Sequence, residues 1–163
     1  MHIISIVGKH NIGKTYLLEQ IISNLIKKYQ IAVIKHTIHE IKKDEVETDT
    51  FRLRKAGSNL TAISSDNDLI IFFKGTNLNS KQLLSIFHIL DPDIDILFLE
   101  GYKKEPYPKI IIIDDLMYLD QFNPDEILLV ISKKPELINN EIIDFNDLDI
   151  IIKKIESFIK ARK

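Results

Sequence analysis

The segment Gly8-Lys9-His10-Asn11-Ile12-Gly13-Lys14-Thr15 follows a short β-branched run, His2 to Val7, and precedes a stretch of helical periodicity. It fits G-x-x-x-x-G-K-[ST] at every defined position, in the strand-to-helix setting that a phosphate-binding loop requires. Glycines let the backbone curl so that successive N–H groups point at phosphate oxygens, and the helix N-terminus adds its partial positive charge. Lys14 is then expected to bridge the β and γ phosphates, and the Thr15 hydroxyl to ligate Mg²⁺. The whole run from Gly8 to Thr15, with Tyr16 directly behind it, is the candidate nucleotide-binding segment.

The flanking pattern fixes the fold class. Leu17, Leu18, Ile21, Ile22, Leu25 and Ile26 recur at three- and four-residue spacing, which predicts a helix ending near Tyr29. Ile31 to His36 reads as a second strand, completing a right-handed βαβ unit with parallel strands. The polar run Thr37 to Asp49 is expected as a long surface loop, and "TFRLRKAG" as a short helix closed by Gly57. "LTAISS" and "LIIFFKG" predict two strands joined by a turn at Asp66, Asn67 and Asp68. Leu83 to Leu90 supports a helix stopped by "DPD", and Ile94 to Gly101 another buried strand. After the basic loop "YKKEPYPK", the runs "KIIIID" and "EILLVIS" continue the alternation, and "DLDIIIKKIESFIKARK" closes the chain as an amphipathic helix with Asp147 as its cap. Interleaved apolar strands and helices imply a single three-layer α/β domain over 1–163 with a mostly parallel sheet.

Composition narrows the function classes. A formal charge of −2 gives no global basic field, so non-specific nucleic-acid binding is not expected. With no cysteine, disulfides, thiolate metal sites and cysteine nucleophiles are excluded. No leader pattern opens the sequence and no apolar run approaches a membrane-spanning length, so a cytoplasmic protein without membrane association is expected. Ser64, Ser65 and Ser132 lack the surroundings of a nucleophile elbow, which argues against acyl transfer.

A bound Mg²⁺ and an attacking water need a carboxylate at the end of a neighbouring strand. Glu100 stands there, directly after "IDILFL", and ligands of open α/β sheets bind at the carboxyl ends of strands. Asp49, at the end of the polar loop, is the second candidate. His36 and His39, followed by Glu40, form an incomplete set for a transition metal.

Three further stretches extend the pattern: "VIKHTIH" (33–39), "DTFRLRKAGS" (49–58) and "LEGYKKEPYPKI" (99–110). In this order and spacing the chain resembles the molybdopterin-guanine dinucleotide biosynthesis protein B (MobB) family, from Ile3 to about Ile113 and more loosely beyond. The resemblance implies a P-loop NTPase-like fold and a homodimeric, GTP-binding, weakly hydrolysing adaptor. It also implies action late in molybdenum or tungsten cofactor maturation, beside a MobA-type guanylyltransferase partner and molybdopterin. By the same resemblance Lys14 and Thr15 hold phosphates and Mg²⁺, and Asp49 and Glu100 serve the metal or water. Arg52, Arg54 and Lys103 would face a pterin phosphate, a role that suits guanidinium groups because they fork onto phosphate oxygens.

Two positions depart from the family pattern. Lys9 stands where related nickel-insertion and dethiobiotin proteins often carry a lysine that reaches across a dimer interface. Lys133 stands where family members commonly read Asp after Ser; aspartate could accept from guanine N1 and N2, whereas a lysine offers no acceptor. The choice between GTP and ATP is therefore open at the level of sequence. The rival functions are a kinase acting on a small phosphorylated or pterin substrate, a nucleotide-dependent metal chaperone using His36 and His39, and a nucleotide-sensing protein without turnover.

Overall fold

A computed structural model describes residues 1–37, 48–75 and 78–162. In chain order it contains β1 (His2–Gly8), α1 (Lys14–Leu25), β2 (Ile31–Lys35), α2 (Asp49–Lys55), β3 (Leu60–Ser64), β4 (Leu69–Phe73) and α3 (Ser80–Leu90). There follow β5 (Ile96–Glu100), β6 (Lys109–Ile113), β7 (Ile127–Ser132), β8 (Ile142–Asp144) and α4 (Leu148–Ala161). Most of the polar loop expected after His36 lies outside the described residues. The chain divides into two compact units, one of residues Met1–His36 and Leu84–Lys163, the other of Thr37–Leu83.

The larger unit is built on a six-stranded sheet in the order β2-β5-β1-β6-β7-β8, with every pairing parallel. Every residue of β5 and β6 is buried, as strands covered on both faces must be, which explains their unbroken apolar runs. On one face, Leu17, Leu18, Ile21 and Leu25 of α1 and Ile151, Ile155 and Ile159 of α4 pack on Ile4, Ile6, Phe98, Ile110, Ile112 and Ile131. The four-residue spacing in α4 keeps its isoleucines on one stripe. On the opposite face, Val7, Ile111, Ile113 and Ile142 gather with Phe122 at the end of a 3-10 segment, Leu116–Gln121. This α/β architecture is the fold class expected from the sequence.

Some details differ from the sequence reading. Helix α1 ends at Leu25 and passes through a tight turn to Tyr29, whose N–H still bonds Leu25 O. Asp147 occupies the N-cap position of α4, but its side chain makes no capping bond. The 3-10 segment and the three-residue β8 carry too few residues to show a period.

The smaller unit contains α2 and the hairpin β3–β4, which pairs antiparallel as a separate two-stranded sheet. Thr48 caps α2 by accepting from the Phe51 N–H at 3.2 Å. Leu60, Leu69, Ile70, Ile71 and Phe73 of the hairpin are exposed. Among the described residues, no helix is long and apolar enough to cross a membrane.

Candidate nucleotide site

The loop after β1 takes the curled form its glycines allow. A side-chain carbon at Gly8 would lie 2.8 Å from the Ile112 carbonyl oxygen, so β1 can approach β6 this closely only without one. Gly13 holds φ +108°, and Asn11 also adopts a left-handed conformation at φ 59°. These two turns bring the chain round so that Lys14 opens α1.

The Lys14 ammonium donates to the loop's own carbonyls, Gly8 O at 3.1 Å and Lys9 O at 2.7 Å. Its pKa is lowered from the ordinary 10.5 chiefly by burial; the nearby Glu100 carboxylate opposes this, while Lys35 and Lys103 add to it. Lys103 is thus an electrostatic neighbour of the loop.

Thr15 and Glu100 meet as the strand-end argument requires. The Thr15 hydroxyl lies 3.0 Å from Glu100 Oε1 and 3.1 Å from Oε2. Parallel pairing puts Ile6 of β1 and Lys35 of β2 in register with Glu100, which centres this carboxylate between the two strands. Lys35 Nζ donates to Thr15 Oγ1 at 3.0 Å and pairs with Glu100 Oε1 at 3.2 Å. Glu100 is only 6% exposed, so its charge is balanced by this hydroxyl and ammonium rather than by bulk water. The only sequence signal for Lys35 is a lysine ending an apolar strand.

Lys9 points the other way, pairing with Asp114 just past β6 at 2.6 Å, with its ammonium 6.0 Å from the Tyr118 ring centre. The hydrogen bond raises the Lys9 pKa and lowers that of Asp114. His10 and Ile12 complete the loop, and Ile12 packs against the core under α1. Tyr16 is exposed, and its ring lies parallel to that of Phe145 at 6.2 Å.

Asp49, Arg52 and Arg54 stand on α2 of the smaller unit, where Asp49 Oδ1 is 3.6 Å from Arg52 Nη1 and the Arg54 guanidinium covers the Phe72 ring at 4.1 Å. The His36 ring packs edge-on against Tyr102 at 5.4 Å, while His39 and Glu40 lie outside the described residues.

The model of the family described as molybdopterin guanine dinucleotide synthesis protein B matches residues 3–133. A provisionally named molybdopterin-guanine dinucleotide biosynthesis adapter protein of Methanocaldococcus jannaschii is 32% identical over 82% of this chain, which spans 62% of that protein's length. The Haemophilus influenzae adapter protein of the same name is 30% identical over 96% of this chain and 89% of its own length. In three dimensions the fold is similar to that of Bacillus subtilis MobB, with a TM-score of 0.76 at 23% identity, covering 94% of this chain and 97% of that one. Loop, sheet order and sequence matches agree, and the chain belongs to the MobB family.

Proposed function

We propose that this chain binds GTP with Mg²⁺, hydrolyses it slowly, and acts as an adapter in assembling molybdopterin guanine dinucleotide for a molybdenum or tungsten cofactor. The observation that carries the nucleotide reading is the contact of the Thr15 hydroxyl with the buried Glu100 carboxylate directly beside Lys14. A hydroxyl and a carboxylate are hard oxygen donors, the kind of set that Mg²⁺ takes alongside phosphate and water. When bound, Mg²⁺ supplies charge neutralisation at the β and γ phosphate oxygens.

The chain's own groups do the rest. Lys14 exchanges two bonds to loop carbonyls for charge-assisted bonds to phosphate, which are roughly twice as strong as neutral ones. Lys35 pairs with Glu100 and orients it, and Glu100 would hold water beside a bound metal. Asp49 keeps the metal or water role implied by the resemblance, and Arg52, Arg54 and Lys103 the recognition of an anionic pterin.

The names of the relatives support the pathway: those from H. influenzae and Escherichia coli are molybdopterin-guanine dinucleotide biosynthesis adapter proteins. The partners proposed are a second copy of this chain, molybdopterin and a MobA-type guanylyltransferase. A homodimer is supported by the apolar hairpin surface of Leu60, Leu69, Ile70, Ile71 and Phe73.

Titration calorimetry with GTP, ATP and molybdopterin, each with Mg²⁺, tests the proposal, followed by single-turnover hydrolysis of labelled GTP. Nucleotide binding with slow release of inorganic phosphate supports it. Binding of neither nucleotide overturns it, and label transferred to an organic acceptor identifies a kinase instead.

A further inference from the structure

The flank of the loop opposite Glu100 holds a cluster that phosphate and metal binding do not use. Lys133 follows β7 and Phe145 follows β8, and the two are tied together: the Phe145 N–H donates to Ser132 O at 2.8 Å. The fully buried Ser132 hydroxyl donates to Ile113 O at 3.1 Å and accepts from the Lys134 N–H at 3.1 Å, fixing the turn from which Lys133 projects.

Lys133 Nζ lies 4.1 Å over the Phe145 ring centre. It also stands against the phosphate loop, 2.7 Å from where a side-chain carbon on Gly13 would be, with Phe145 Cζ at 3.1 Å from the same point. Tyr16, the second residue after Lys14, lays its ring parallel to Phe145 and is 58% exposed. Among the described residues, no carboxylate pairs with the Lys133 ammonium; a ring face holds it instead. A buried phenylalanine and an ammonium without an ion pair among the described residues thus meet at Gly13, and an exposed tyrosine ring lies parallel to the phenylalanine.

The sheet order gives the site a direction. Glu100 and Lys35 lie on the β5–β2 side of β1, so the metal-binding end of a bound nucleotide is on that side. Lys133 and Phe145 lie on the β7–β8 side, where a nucleoside extending away from that end would lie. The exposed Tyr16 ring there suits a purine face, and the Lys133 ammonium suits a purine edge rich in acceptors.

Resting on the nucleotide-binding reading, we propose that Lys133 is a specificity-determining residue that selects a 6-oxopurine base over a 6-aminopurine and is indifferent to the 2-amino group. An ammonium has three donors and no acceptor. Guanine and hypoxanthine present O6 and N7 as adjacent acceptors, whereas adenine presents N7 beside an N6 donor that an ammonium repels. Lysine cannot read guanine N1–H or the 2-amino group, so its selection acts through O6 and N7 alone.

Calorimetry on the full chain with GTP, ITP and ATP, each with Mg²⁺, tests this. GTP and ITP are expected to bind within about twofold of each other and ATP about tenfold more weakly, the size of one good base-edge contact. Lys133→Met should bring all three within about twofold, and Lys133→Arg, which keeps the donors, should preserve the preference. Equal affinity of the wild type for GTP and ATP overturns the proposal. So does Lys133→Met weakening all three nucleotides by one factor, which marks a phosphate contact, or ITP binding far more weakly than GTP, which marks an acceptor on the N1 and N2 edge. In those three cases nucleotide binding still stands; absence of binding by every nucleotide removes both readings.

Discussion

The Thr15 hydroxyl, in the first turn of α1, and the Glu100 carboxylate, at the carboxyl end of β5, are 85 positions apart in the chain and lie within 3.0 to 3.1 Å of each other. Their meeting follows from β1 and β5 being parallel neighbours, because α1 starts where β1 stops and Glu100 is the last residue of β5. Glu100→Gln keeps the shape and removes the charge. It is expected to abolish most of the Mg²⁺ enhancement of GTP binding, about tenfold in affinity, while leaving Mg²⁺-free binding nearly unchanged. Calorimetry with and without Mg²⁺ checks this; an undiminished Mg²⁺ effect would remove Glu100 from the metal site.

Lys9 and Asp114 form an exposed pair whose partners shift each other's pKa in opposite directions. Because the folded Asp114 pKa lies below its ordinary value, the pair stabilises the fold above that ordinary value. The contribution is lost as pH falls through the depressed folded pKa. Carboxyl ¹³C titration should therefore place the Asp114 midpoint below 3.8, the ordinary value, and Lys9→Met should return it there. A midpoint that Lys9→Met leaves in place would show that another group holds Asp114 ionised.

The loop and Glu100 were legible in the sequence because both are fixed by local rules: glycines at set spacing, and an acidic residue ending an apolar strand. Lys35 was not, because its role depends on β2 lying beside β5 rather than beside β1, an order that hydrophobic periodicity does not encode. The hairpin was legible as two strands with a turn, but not as a sheet of its own. In the sequence Lys133 stands out only as a poor substitute for an acceptor. Its place against Gly13 arises from the ends of β7 and β8 converging on the loop, and β8 is too short to be seen as a strand.

Lys109 opens β6 with no exposed surface, donating to Glu105 O, Tyr107 O and Glu126 Oε2. One ammonium thereby fastens the loop after β5 and the turn before β7 to the same strand. Removing the Glu126 charge leaves the buried Lys109 ammonium without its counter-charge, at a cost of about 3 kcal/mol, whereas Glu126 is partly exposed and removal of Lys109 strands it less. Both Lys109→Met and Glu126→Gln should lower the urea midpoint. The double variant should cost less than the sum of the two single changes. Additive losses would mean that the two side chains act independently.

Gly8 and Gly13 should both resist substitution, for different reasons. At Gly8 an added carbon meets the Ile112 carbonyl oxygen at 2.8 Å and Ile12 Cγ2 at 2.9 Å, and a backbone atom inside the sheet cannot swing aside. Gly8→Ala is expected to cost about 1–3 kcal/mol by overpacking. At Gly13 the nearest atom is Lys133 Nζ, the far end of a flexible side chain, so the clash is cheaply relieved. The φ of +108° is not, since it lies outside the region that an alanine adopts without strain, and the cost is about 1–3 kcal/mol. Adding Lys133→Met to Gly13→Ala should therefore recover little of the lost stability in urea unfolding. Full recovery would show that the lysine, and not the backbone, makes glycine necessary at this position.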